Sequence, residues 1–288
     1  MSFITTRRTA LKTFAAIAIA GASLALAACS SGTTATPTPT DNAKSIATLT
    51  PGKLTIGTGN PAYEPWVVGD KPESGEGYEA AVAYAVAEKL GFAKADVVWV
   101  RTTFDEAIAP GPKNFDFNLQ QYSITDERKK SVDFSSPYYS TTQTVITVKG
   151  SKAEGVTTVA GLKGLLIGAA TGTTSFAAIE NEIKPTTPAA AFNSNDDAKA
   201  ALEAGQIDAL VVDLPTALYL TAAELKDGKI VGQLGGSAAG DQFGLVLDKG
   251  SSLTPQVSAA VDALQADGTL AALQTKWLAD YAGAPVLK

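Results

Sequence analysis

Short apolar strand signals and helical stretches alternate twice along these 288 residues, and that alternation constrains the fold more than any other feature. In the first run, KLTIGT (53–58) puts Leu54 and Ile56 at alternate positions, which predicts a buried strand. Residues 77–90 predict a helix with Tyr78, Val82, Ala85, Val86 and Leu90 on one stripe and Gly91 as its stop. VVWV (97–100), a helix over 104–108 and a strand at 116–119 continue the series. A long β-rich run (139–148) and a polar break (149–154) follow, and then the pattern restarts. It predicts a strand at 162–169, a helix at 175–182, a strand at 190–192, a helix at 196–204, a strand at 207–212 and a helix at 215–225. Residues 243–247 add a strand, and a helical tail over 253–278 is broken at 266–268, with Trp277 expected in the core. Strands alternating with helices predict an α/β fold with mostly parallel sheets. Two such runs predict two lobes with a cleft between them, although no repeat is visible residue by residue.

Composition narrows the chemistry. The chain has no histidine, which removes Ser-His-Asp and Cys-His nucleophiles and most transition-metal sites. Cys29 is the only cysteine, so no intramolecular disulfide forms. The formal charge is −6. Removing residues 1–28 takes away Arg7, Arg8 and Lys12 and leaves 20 basic against 29 acidic residues, a balance of −9. That sign argues against nucleic acid as a partner.

Residues 1–28 read as a targeting segment: a basic head, then an apolar run too short for a comfortable membrane span. The run ends in Leu26-Ala27-Ala28-Cys29, which resembles the bacterial lipobox and implies cleavage before a lipidated Cys29. Acyl chains on that cysteine would anchor the protein to the membrane. Thr6-Arg7-Arg8-Thr9-Ala10-Leu11-Lys12 resembles a twin-arginine export motif with Ala10 where phenylalanine is usual, and a plain basic head fits equally well. Residues 29–45 hold small polar residues and prolines with no large apolar side chain after Cys29, the composition of a flexible tether.

The stretch FDFNLQQYSITDERKKSVDFSSPYY (115–139) carries the densest chemical signal. Thr125 is a plausible N-cap, Asp126 and Glu127 suit a helix's positive end, and Arg128 falls in the first turn. A guanidinium fork beside free backbone N–H groups is a receptor for a carboxylate. Asn60, Tyr63 and Trp66 lie in a loop after the first strand, where open α/β sheets bind ligands. Tyr63 and Trp66 there form either a hydrophobic cover or a ligand platform. Thr171-Gly172-Thr173-Thr174 is a glycine turn ahead of a helix in the second run.

Taken together and in order, these pieces resemble the solute-binding proteins of ABC importers, in the polar amino-acid family. Tyr63-Glu64-Pro65-Trp66 resembles the family's Tyr-x-Pro-Phe loop, and Gly77-Tyr78-Glu79 its Gly-Phe-Asp helix start. Phe104-Asp105 resembles its Phe/Trp-Asp pair, and Ser123-Ile124-Thr125-Asp126-Glu127-Arg128 its Ser-Ile-Thr-x-x-Arg. Val132-Asp133-Phe134-Ser135, Gly172-Thr173-Thr174, Asp208 with Asp213, and Lys276-Trp277 match further pieces. The resemblance spans about residues 50–280.

It implies a two-lobed periplasmic-binding-protein fold (type II, Venus-flytrap) with two hinge crossings, near 140–146 and 237–243. Lobe 1 would hold residues 46–140 plus 241–288, and lobe 2 residues 141–240. Arg128 would take the α-carboxylate of a free amino acid, with Thr171, Thr173 and Thr174 gripping it from the other lobe. Asp213, helped by Ser123, would accept from the α-ammonium. Tyr63 and Phe104 would sandwich the side chain, with Trp66 and Tyr122 beside them. Asn60 stands where basic-ligand members often have aspartate, and Gln121 is expected to reach into the pocket and read a polar side chain. Glu64 is the alternative, a negative charge for a cationic ligand. The implied partners are a free amino acid, ABC permease subunits and the membrane through Cys29. A monomer with no catalytic group, metal or cofactor is expected outside the cytoplasm. Two rivals stay open on the same scaffold: a dehydratase or lytic enzyme using Glu64 and Glu79, and a ligand-sensing surface receptor.

Overall fold

The computed structural model describes residues 46–235, 240–279 and 283–288. The leader (1–28), Cys29, the tether (29–45) and part of the second crossing lie outside the described residues. No helix among the described residues is long and apolar enough to cross a membrane.

Two five-stranded sheets organise the chain, each with helices on its faces. The first has β1 (Leu54–Gly59), β2 (Val97–Thr102), β3 (Phe117–Asn118), β4 (Val132–Thr141) and β10 (Asp241–Asp248), in the order β2-β1-β3-β10-β4. The second has β5 (Gln143–Val148), β6 (Ile167–Ala170), β7 (Ala190–Phe192), β8 (Ala209–Asp213) and β9 (Gly228–Gln233), in the order β7-β6-β8-β5-β9. In each sheet the strands joined through helices pair in parallel, and the strands that cross between sheets pair antiparallel.

Side-chain alternation explains the layers. Val145 and Val211 face one core with Ile167, Ile179 and Leu234, while their neighbours Ile146 and Val212 face another with Leu202 and Ala217. The second sheet is therefore buried on both faces. The first sheet packs on α1 (Tyr78–Lys89), α7 (Thr254–Ala266) and α8 (Thr269–Leu278) through Trp66, Val82, Phe243, Leu245 and Val257. Trp277 packs against the same core, as expected.

The helix start at Tyr78 fixes the loop that precedes it. The N–H groups of Tyr78 and Glu79 donate to the carbonyls of Pro65 (3.1 Å) and Trp66 (3.0 Å). That approach needs glycine at 77, where φ is +99° and a Cβ would stand 2.4 Å from the Trp66 carbonyl oxygen. Loop 60–66 is thereby held at the C-terminal end of β1.

Several elements differ from the sequence reading. The run at 139–148 is two strands broken at Thr142, and they belong to different sheets. The strand expected at 162–169 is a short helix, α3 (Val159–Leu162), followed by β6. β9 had no strand signal of its own. The helix expected at Arg128 is a single 3-10 turn, Arg128–Lys130. Its N-cap is Glu127 rather than the expected Thr125, although Thr125 Oγ1 still accepts from the Arg128 N–H at 3.2 Å. Finally, residues 283–288, placed with lobe 1 from sequence, run along the second sheet. Gln233 N–H donates to Pro285 O (2.7 Å) and Leu287 N–H to Gln233 O (2.9 Å), while the Leu287 side chain is buried in the second lobe's core. Burial of that leucine and the vacant edge of β9 account for the return.

Candidate functional site

The ends of the strands in both sheets converge on one cavity of about 220 Å3. Loop 60–63 brings Asn60 and Tyr63. The segment after β3 brings Gln121 and Ser123, and α2 (Phe104–Ile108) brings Phe104. Arg128 enters from the 3-10 turn. From the second sheet come Thr171 and Thr173 after β6, Thr174 opening α4 (Thr174–Ala178), and Asp213 ending β8. Ten of the twelve ligand residues expected from sequence thus line one cavity.

Arg128 is 8% exposed and held rigidly. Its Nη1 donates to Ser123 O at 2.7 Å, and its Nη2 donates across the cleft to Gly172 O at 2.9 Å. The guanidinium carbon lies 5.3 Å from the Phe104 ring centre and 6.0 Å from that of Tyr122. Burial pulls Arg128 below its ordinary value, and Tyr122, Asp213, Asp241 and Asp105 pull the other way. Across the cavity, burial first and the Asp241 charge second push Asp213 up to about 7. The cavity is therefore lined by a fixed cation from one sheet's side and, from the other, by a carboxylate that burial holds above its ordinary value.

Two expected residues stand behind the wall. Tyr122 is fully buried, its hydroxyl donating to Phe104 O (3.0 Å), because the backbone turns Gln121 and Ser123 toward the cavity and Tyr122 away. Trp66 is fully buried against Tyr78, Tyr139 and Phe243, and its Nε1 donates to Thr216 Oγ1 on α6 (Leu214–Tyr219) of the second lobe at 3.1 Å. It is a cover and a tie between lobes. Tyr63 combines both tasks, since it lines the cavity and donates from its hydroxyl to Asp196 Oδ2 at 3.0 Å.

Gln121 lines the cavity, but its amide is already engaged. Its backbone N–H donates to Glu79 Oε1 at 2.8 Å, and its Nε2 donates to Glu79 Oε2. Those bonds hold the left-handed backbone at Gln121 (φ 53°). Glu79 is 2% exposed, also accepts from Tyr138, and is pushed up to about 7 by burial. Glu64 lines a separate cavity with Asp70, Asp196 and Glu224. Glu79 and Glu64, the pair suggested for an enzyme, thus lie outside the 220 Å3 cavity, and Glu64 is also the alternative for a cationic ligand.

Sequence reasoning missed Asp105, Gln120, Asn193 and Asn195 among the lining residues. Asn193 and Asn195 bracket Ser194, the helix cap of α5 (Asn195–Glu203), and a cap masks any other role. Tyr63 and Asn195 line both cavities and so mark the end of the first that abuts the second. Asp105 sits beside Gly172, at the Arg128 end. Among the described residues no group of three or more acids or cysteines is placed to hold a metal ion.

A cleft between two α/β lobes, lined from both, defines a two-lobed binding protein. Residues 54–280 match the bacterial extracellular solute-binding proteins, family 3, and the chain belongs to that family. It is 29% identical over 231 residues to the L-arginine-binding protein of Pseudomonas aeruginosa, covering 75% of this chain and 84% of that one. It is 30% identical over 212 residues to the ABC transporter glutamine-binding protein of Bacillus subtilis (72% and 75%), and 31% identical over 217 residues to the L-cystine-binding protein of Escherichia coli K12 (74% and 76%). Among solved structures, an ancestral arginine-binding protein bound to glutamine superposes with a TM-score of 0.66 at 30% identity, covering 78% of this chain and 97% of that one. An ancestral amino acid-binding protein described as a precursor of cyclohexadienyl dehydratase gives 0.65 at 31% identity, covering 78% and 95%.

Proposed function

We propose that the protein captures a free L-amino acid with a polar, uncharged side chain and delivers it to an ABC permease. The observation that carries this is that Arg128 and Asp213 face one cavity from opposite lobes. Arg128 would hold the α-carboxylate with Thr171, Thr173 and Thr174, and Asp213 the α-ammonium with Ser123. Relatives named for arginine, glutamine and cystine share that α-amino-acid part. A cavity of about 220 Å3 suits a ligand smaller than those of the roughly 300–1,000 Å3 sites that take drug-sized molecules.

The end near Tyr63 supports the polar, uncharged side chain. Asn60 and Asn195 are neutral amides, Glu64 lies outside, and Asp105 sits beside Gly172, whose carbonyl accepts from Arg128. Residues 46–140 and 241–279 would form lobe 1, and 141–240 with 283–288 lobe 2. Contacts made from both lobes form fully only when the cleft is shut, so the ligand favours the closed form that a permease would recognise. A diacylglyceryl group on Cys29 would keep the monomer at the outer face of the membrane.

Thermal unfolding against the common L-amino acids, with organic acids and sugars as controls, tests this. A ligand at 100 times Kd adds about 2.7 kcal/mol, a shift of several degrees at this size. Polar uncharged amino acids should shift the curve, and mass spectrometry should recover the ligand unchanged. A shift with lysine or arginine alone would contradict the side-chain assignment. No shift with any amino acid, after removal of co-purified ligand by unfolding and dialysis, would contradict the class.

A further inference from the structure

Behind the wall formed by Ser123, Thr174 and Asp213, one side chain joins the two lobes. Gln143 opens β5 opposite Asp213 at the end of β8, and Asp241 opens β10 opposite Thr141 at the end of β4. The chain passes between sheets at Thr142, so the two carboxylates flank that passage from different sheets. Gln143 Nε2 donates to Asp213 Oδ1 at 2.9 Å and to Asp241 Oδ2 at 2.8 Å. Its Oε1 accepts from Ser175 Oγ at 2.6 Å. Ser123 Oγ donates to Asp241 Oδ2 at 3.3 Å and lies 3.1 Å from Thr174 Oγ1.

An amide nitrogen has two hydrogens, and here its two shortest contacts are the carboxylates, with Thr174 Oγ1 a longer third at 3.3 Å. Gln143 is 7% exposed, and the two carboxylates it joins are partly buried beside it. Two carboxylates held by one nitrogen in such a place disfavour double ionisation. Other groups face Asp213 too. Arg128 lowers it and Glu79 raises it, both less than Asp241 does, while Tyr138 and Tyr139 of β4 present neutral phenols. The junction therefore has a place for one more positive charge, and a proton can take it.

We propose that Asp241 and Gln143 are positioning residues for the ligand's ammonium group, holding Asp213 in a site where a proton and the ammonium compete, so that capture expels a proton. This rests on the assignment of Asp213 to the ammonium. The exchange balances: the zwitterion enters with its ammonium already charged, the Asp213 carboxyl gives its proton to solvent, and no ligand bond changes.

The test is titration calorimetry with the L-amino acid that gives the largest thermal shift, in two buffers of different protonation enthalpy. Near pH 6.5, about one-half to one proton should leave per ligand bound, and affinity should rise by up to about tenfold per pH unit below pH 7. Asp241→Asn should lower the midpoint of that rise and cut the proton count. Gln143→Met, which strips both carboxylates of their shared donor, should raise the midpoint. Circular dichroism checks that each variant is folded, and the opposite signs separate the proposal from general damage. A proton count of zero in the wild type, or an unchanged count and midpoint in Asp241→Asn, overturns it while leaving the amino-acid reading intact. If no amino acid binds, that reading fails first and the proposal falls with it.

Discussion

Glu79 and Asp213 make an instructive pair: burial pushes both carboxylates up to about 7, yet they do different jobs. Glu79 is surrounded by donors. Gln121 gives it two hydrogen bonds and Tyr138 a third, all within lobe 1. Asp213 has one amide donor, shares it with Asp241 in the other lobe, and turns toward the cavity. A raised value alone does not identify a ligand site. What separates the two is how many donors are already committed and what the remaining oxygen faces. Glu79 shapes the wall by holding Gln121, and Asp213 lines the cavity, where the proposed ammonium would lie.

The largest effects should fall on the Asp213 side. Asp213→Asn and Arg128→Ala should each weaken amino-acid binding by about a hundredfold or more, since each leaves a buried partner charge unanswered. Calorimetry measures this, and wild-type affinity in either variant would break the comparison. Glu79→Gln should do the reverse. It presents an NH2 group to donors that need an acceptor, so stability should drop by about 1–3 kcal/mol in denaturant unfolding, with a smaller change in affinity.

The pH dependence sharpens the same contrast. Both acids have folded values near 7, above their ordinary 3.8 and 4.5, so the folded protein holds more protons between those limits. Their contribution to stability is full below the ordinary values and is lost as pH rises through about 7. Unliganded protein should therefore melt higher at pH 5 than at pH 8. Bound amino acid should remove the Asp213 share of that slope and leave the Glu79 share. The smallest effect is expected at the tie between lobes. Trp66→Phe deletes one hydrogen bond to Thr216, worth about 1 kcal/mol, and should weaken binding several-fold by disfavouring closure.

Local chemistry made half of this readable from sequence. Ser123, Thr125 and Arg128 lie within six residues, and Gly77 sits next to the helix it starts, so spacing alone places them. The alternation of strands and helices likewise foretold two α/β layers, but not their pairing: the sheets are mixed rather than mostly parallel, because the strands that cross between them pair antiparallel. Gln143 and Asp241 are 98 residues apart and meet only because the chain crosses between sheets beside both of them. Nothing in STTQTVITV marks its glutamine as anything but a strand residue. Trp66 and Tyr122 show a second limit: an aromatic next to a cavity residue faces the core or the ligand according to backbone direction, which spacing does not report. The C-terminal tail shows a third, since its partner, the edge of β9, exists only in the folded protein.

The central claim is that the cavity reads both ends of an α-amino acid. Calorimetry with the best-binding amino acid, beside its analogue without the carboxylate and its analogue without the amine, tests it directly. The account predicts tight binding of the intact amino acid and loss of about a hundredfold or more for each analogue. Equal binding of either analogue would contradict the pairing of Arg128 and Asp213 across the cleft.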